Sequence, residues 1–137
     1  MKLFAPILAA LGLLWLSPAP ALARPHRAPV VEAEPAYFLQ TGRASWYGEF
    51  HDGRRTASGG TFDRTDFTAA HPWLPFGTIV RVTNLANHRM VKVRITDRGP
   101  HAKSRAIDVS AAAARELGMQ RRGVARVRIR AYQSDQP

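Results

Sequence analysis

Residues 78–97, TIVRVTNLANHRMVKVRITD, decide how the rest of this chain is read. Ile79, Arg81 and Thr83 alternate with Val80 and Val82, and Val91, Val93 and Ile95 alternate with Lys92, Arg94 and Thr96. Strict period two with β-branched residues on one face is the pattern of a strand with one side against a core. The intervening NLANHR supplies the asparagine-rich turn chemistry that joins two such strands into a hairpin. Asp97 closes the second strand and runs directly into Arg98-Gly99-Pro100, so the alternation ends on a carboxylate held at the mouth of a turn.

The same signature recurs in ARVRIRAY, where Val127, Ile129 and Ala131 alternate with Arg126, Arg128 and Arg130. Between them, SAAAARELG predicts one short helix, with Ser110 as N-cap and Gly118 as terminator. A second helical turn is expected near DFTAAHPWLP, kept short by Pro72 and Pro75. The sum is a small all-β barrel with one or two short helices over residues 41–132, followed by a disordered tail over 133–137.

The N-terminal MKLFAPILAALGLLWLSPAPALA has the layout of a secretory leader, with Lys2, a short apolar run and an Ala-Leu-Ala site. Cleavage after Ala23 is expected, leaving residues 24–40 as a flexible tether and the product in the periplasm or secreted, without a stable membrane anchor. Cysteine is absent from the sequence, which excludes a disulfide framework, a thiolate metal site and an acylated N-terminal cysteine. The formal net charge is +10, which draws an exported protein to wall polymers and anionic surfaces. Nothing reads as a recognition helix, finger or stacking platform for nucleic acid.

Polar chemistry concentrates on three loops. GRASWYGEFHDGRRTASGGTFD brings Trp46 and Tyr47, flat rings with polar edges suited either to holding sugars or to packing in the core. DFTAAHPWLPFGT carries His71, and a lone histidine beside Ala70 and Pro72 is more often structural than catalytic. ITDRGPHAKSRAIDVS holds Asp97 and Asp108. Asp108 reads more readily as an acceptor of backbone hydrogen bonds, and Asp97 as the reactive carboxylate. The histidines share no metal-ligand spacing, so no metal or other cofactor is expected.

In this order, ASWYG, FHDGRRTASG, TAAH, LPFGT, VRITDRGP and RAIDVSAAAARELG closely resemble the rare lipoprotein A family over residues 42–129. The resemblance implies a six-stranded double-psi β-barrel and an endolytic lytic transglycosylase acting on peptidoglycan glycan strands, working as a monomer. It places Asp97, His71 and Asp63 in the catalytic cluster, with Trp46, Tyr47, Ser58, Arg98 and Asp108 as substrate-binding residues. The sequence departs from the family at Gly60, where a glutamate is usual, which implies a weak enzyme. A non-catalytic, expansin-like peptidoglycan-binding barrel is the alternative. Chemically, such a lyase needs no water nucleophile, because the sugar's 6-hydroxyl closes an anhydro ring. One carboxyl group then serves first as acid and next as base. A carboxyl working this way near neutral pH must hold its proton there, which partial burial or a neighbour such as Asp63 or Asp108 would favour.

Overall fold

The computed structural model describes residues 33–137; the expected leader and most of the tether fall outside the described residues. Six strands close into a barrel: β1 (Phe38–Trp46), β2 (Thr68–Ala70), β3 (Ile79–Asn84), β4 (Met90–Asp97), β5 (Ile107–Val109) and β6 (Val124–Ala131). Around the barrel the order is β1-β5-β2-β4-β3-β6. β1 pairs in parallel with β5, and β2 with β4, while the remaining neighbours run antiparallel. Two parallel pairs among antiparallel neighbours are the double-psi arrangement. One helix, α1 (Ala111–Glu116), lies between β5 and β6. The Ser110 hydroxyl caps it by accepting the Ala113 N–H at 3.3 Å.

The alternation seen in the sequence is the inside–outside alternation of the barrel wall. Val80, Val82, Val93, Ile95, Val127 and Ile129 are all buried, joined by Ile107 and Val109 from β5 and Leu117 beyond α1. Each such aliphatic side chain contributes on the order of 1.5–3 kcal/mol by leaving water, which is how a cysteine-free domain of this size holds together. The β3–β4 turn is built as its asparagines suggest. The Asn84 side chain accepts the Ala86 N–H at 3.0 Å and Asn87 accepts the Arg89 N–H at 2.9 Å. Gly42 marks a close crossing, since a Cβ there would stand 2.7 Å from the Ala106 Cβ.

Three expectations differ from what is observed. β1 begins at Phe38, inside the expected tether, because Phe38 to Gln40 pair with Ala131 to Ile129. Within DFTAAH, Thr68–Ala70 form strand β2 and not a helical turn, because Ala69 and Ala70 are buried between β4 and β5. The tail is ordered. Gln133–Asp135 form a 3-10 turn, and the Gln136 side chain exchanges hydrogen bonds with the Ile79 backbone at 2.9 and 3.0 Å. Asp135 receives Arg81 Nη2 at 2.9 Å and Lys92 Nζ at 2.7 Å. Those two basic side chains project from neighbouring strands, and the tail supplies their counter-charge.

Candidate active site

Four strands bring Asp97 and Asp108 into one row. Ser45 of β1 is in register with Asp108 of β5, Asp108 with Ala70 of β2, and Ala70 with Asp97 of β4. The last step depends on an irregularity: Ala69 opposes Ile95, but Ala70 opposes Asp97 and not Thr96. A bulge of this kind re-aims a side chain at the rim of a barrel. Here it brings the carboxylate of Asp97 into the row.

Asp97 sits between two loops that are both fastened to it. On one side, residues 54–62 fold back on themselves, with Thr56 N–H donating to the Gly60 carbonyl at 2.8 Å and Ser58 N–H to the Thr96 carbonyl at 3.1 Å. This turn aims the Ala57 N–H at Asp97 Oδ1, 3.0 Å away, and the Arg98 N–H reaches the same oxygen at 2.9 Å. Oδ2 accepts no hydrogen bond from the described residues. On the other side the loop following β2 is tied down by His71 N–H, which donates to the Asp97 carbonyl at 3.1 Å. The Arg98 side chain turns into this loop: Nη1 donates to the carbonyls of Leu74 (2.8 Å) and His71 (3.3 Å), and its guanidinium lies 3.9 Å over the Phe76 ring.

His71 is buried, and both ring nitrogens are committed inside the protein. Nδ1 accepts the backbone N–H groups of Leu74 at 3.1 Å and Trp73 at 3.3 Å. The proton therefore sits on Nε2, which donates to Gln40 Oε1 at 2.9 Å. Burial, and secondarily the charge of Arg98, lower its pKa to about 4. The imidazole is thus neutral and meets Asp97 only through the backbone, so the arrangement gives it a holding role and leaves no nitrogen for proton transfer.

Tyr47 lies close enough to both carboxylates to feel their charge. Burial first, and then the negative charges of Asp97 and Asp108, push its phenol well above the usual range, with Arg105 opposing. Its ring packs on Phe62 at 5.2 Å and His51 at 5.1 Å. Asp108 is engaged by the Ser45 hydroxyl and by Arg105 Nη1 at 3.3 Å, and Arg105 also donates to Ser45. Ser45 and Arg105 escaped the sequence reading. Arg105 carried a signal, its i,i+3 spacing from Asp108, whereas Ser45 lies on a strand whose pairing is set only by barrel closure.

The other expected residues lie apart from this row. Asp63 is exposed, and its Oδ1 accepts the hydroxyl (2.6 Å) and N–H (2.8 Å) of Thr65, which hold its carboxyl below the ordinary range. It lines a cavity of about 370 Å³ together with Ser58, Gly60, Asp66 and Arg94; the Asp97 carboxylate does not line this cavity. Trp46 leans half-buried against the core and faces a separate cavity near Arg64 and Arg115, so it and Tyr47 do not form one surface. At Gly60 an added Cβ would meet only Thr56 Oγ1, at 3.7 Å. Among the described residues no three His, Asp or Glu side chains come together as metal ligands do.

A closed double-psi β-barrel with a carboxylate fixed at the rim between two loops defines the class. Its wall is shared, as a fold, with Streptomyces papain inhibitor (TM-score 0.59, 24% identity, 73% of this chain and 99% of that one). The same holds for an expansin of Clavibacter michiganensis (TM-score 0.58, 19% identity, 73% and 53%). The family described as lytic transglycolase matches residues 39–129, and the chain belongs to that family, as a barrel of the rare lipoprotein A type. Similar proteins include the probable endolytic peptidoglycan transglycosylase RlpA of Treponema pallidum, 59% identical over 64% of this chain and 28% of the relative. The endolytic peptidoglycan transglycosylases RlpA of Neisseria meningitidis serogroup A (52%; 69% and 39%) and Haemophilus influenzae (50%; 69% and 33%) are also similar. The chain thus matches well under half the length of these relatives.

Proposed function

We propose that this barrel is an endolytic lytic transglycosylase, a carbon–oxygen lyase that cleaves the β-1,4 bond between N-acetylmuramic acid and N-acetylglucosamine in peptidoglycan glycan strands. Asp97 is its acid and base. Its protonated carboxyl gives a proton to the glycosidic oxygen as the bond to the muramyl anomeric carbon breaks. The resulting carboxylate then takes the proton of the muramyl 6-hydroxyl, whose oxygen closes on that carbon. The product is a 1,6-anhydro end, no water is consumed, and Asp97 regains its proton.

The observation that carries this reading is the unequal state of the two Asp97 oxygens. Oδ1 is held by two backbone N–H groups, and Oδ2 takes no hydrogen bond from the described residues. A proton donor needs that combination of a fixed carboxyl plane and an oxygen open to substrate. Asp108 also has its contacts on one oxygen, Oδ1, but it is buried and ion-paired with Arg105, which suits it to holding the site and not to meeting substrate. Tyr47 and Ser58 flank the carboxylate as sugar contacts, Arg98 and His71 hold the neighbouring loop, and Asp63 serves the adjoining cavity. The protein is exported, its leader removed after Ala23, and acts as a monomer in the periplasm or beyond. A mature N-terminus at Arg24 in mass spectrometry and a monomer mass in light scattering are the outcomes expected.

Asp97→Asn preserves shape and removes the proton, so release of anhydromuramyl ends from isolated sacculi should fall by about a hundredfold or more, with folding and sacculus binding retained. A folded variant cleaving at the wild-type rate removes Asp97 from the mechanism. Gly60 favours a second reading, a wall-binding barrel without catalysis, which wins if wild type and Asp97→Asn release equally little product while both bind sacculi.

A further inference from the structure

Trp73 is one of the large apolar side chains exposed on the barrel, at 61%, and single exposed apolar residues are ordinary. What sets it apart is how firmly it is held. The Phe38 and His71 rings meet it edge to face at 5.3 and 5.1 Å, with interplanar angles of 85° and 83°. Its backbone N–H is anchored on His71 Nδ1. A buried imidazole with both nitrogens occupied is an expensive way to support a side chain that is then left in water. Phe50 is more exposed, at 92%, yet no ring among the described residues packs on it, and Phe76 already has the Arg98 guanidinium over its face.

The indole is also fixed relative to Asp97. His71 N–H holds the Asp97 carbonyl, Arg98 holds the Leu74 and His71 carbonyls, and Gly77 N–H donates to the Ile95 carbonyl at 2.8 Å. Trp73 lies two residues past His71, at most about 7 Å of chain. Platform and carboxylate are therefore within the span of a few linked sugar rings, on a loop that cannot move independently of β4. A flat, polarisable face with a fixed tilt and a wet edge suits the apolar C–H face of a pyranose.

We propose that Trp73 is a sugar-stacking subsite, held edge-on by Phe38 and His71, that seats one N-acetylated amino-sugar ring of a glycan strand beside Asp97. This rests on the reading of the barrel as glycan-cleaving, and it assigns a purpose to His71 that proton transfer does not. Stacking on this face binds bound and reacting strand alike, so its loss should raise KM and leave kcat nearly unchanged.

The test measures binding of full-length Asp97→Asn protein, which holds strands without cutting them, to isolated sacculi and to a soluble N-acetylglucosamine oligomer. Adding Trp73→Leu should weaken both roughly tenfold, the equivalent of one aromatic stacking contact, whereas Trp73→Phe should keep most of the affinity. Leu and Phe both fill the space beside Phe38 and His71, so the comparison reads the flat face and not the packing. Equal affinity of the Leu and Phe variants, or of Leu and the parent, overturns the subsite. In the cleaving background Trp73→Leu should raise KM with kcat within about twofold; a fall in kcat at unchanged KM would also overturn it. If the wild type releases no anhydromuramyl ends while the Leu variant still loses binding, the catalytic reading fails and the subsite stands.

Discussion

Asp97 illustrates what a residue reveals in sequence and what it withholds. Its place at the end of an alternating run followed by Arg-Gly-Pro already set it at a strand mouth. The direction of Arg98 was not legible, because it is decided by carbonyls of residues 71 and 74 on another loop. Nor was the commitment of both His71 nitrogens, which depends on Gln40 from a strand far away in sequence. Gly60 is legible only as a departure from the family pattern, and the structure adds that the position has room. A Cβ would meet only the Thr56 hydroxyl in ordinary contact, and the site faces the cavity beside the Ala57 turn. Gly60→Glu should therefore fold without strain and place a carboxylate on the same turn that holds Asp97. Stabilising charge at a catalytic centre is commonly worth on the order of a hundredfold, so the variant should release anhydromuramyl ends substantially faster than the wild type. An unchanged rate in a folded Gly60→Glu protein would show that this position does not limit turnover.

At the scale of elements, the long strands β3, β4 and β6 were legible because each exposes one face, which period two records. The short strands β2 and β5 were not. β5 is buried throughout and β2 at two of its three residues, so Thr68–Ala70 and Ile107–Val109 show no alternation and are placed only by the pairing that closes the barrel. The last residues misled for a related reason: a polar segment reads as solvent-borne unless its partners are known. Those partners are Arg81, Lys92 and the backbone of Ile79, the N-terminal residue of β3. Asp135 carries a pKa lowered to about 2 by its hydrogen bonds to Arg81 and Lys92. Truncation after Tyr132 should lower stability by about 1–3 kcal/mol, the usual worth of hydrogen bonds to a charged group, read as a shifted urea midpoint. A midpoint identical to the full chain would mean that the tail only rests on the barrel.

For the whole molecule, charge was legible from composition, while the closure that aligns Ser45, Asp108, Ala70 and Asp97 was not, since it follows from a register shift between β2 and β4. Buried His71 links pH to global stability. Its pKa is near 4 in the folded barrel against 6.5 for the free side chain, so the unfolded chain binds the proton more readily. Stability is then full above pH 6.5 and falls as pH drops towards 4, by up to about 3 kcal/mol. His71→Gln should flatten that part of the profile, and identical slopes in both proteins would contradict the assignment. The surface charge makes a different demand. Arg43 stands directly opposite Arg126, and Arg128 and Arg130 follow along β6, with no ion pair to a carboxylate for any of the four among the described residues. Like charges facing each other across a sheet cost about 0.2–1 kcal/mol, so the fold gains nothing from this pair, whereas an anionic wall would. Retention on sacculi should therefore fall several-fold as salt is raised towards about 0.5 M, where screening reaches a few ångströms. Arg126→Thr should weaken retention at low salt and leave stability unchanged or slightly higher. Retention indifferent to both salt and Arg126→Thr would assign the hold on the wall to hydrogen bonds and aromatic faces such as Trp73 and Tyr47.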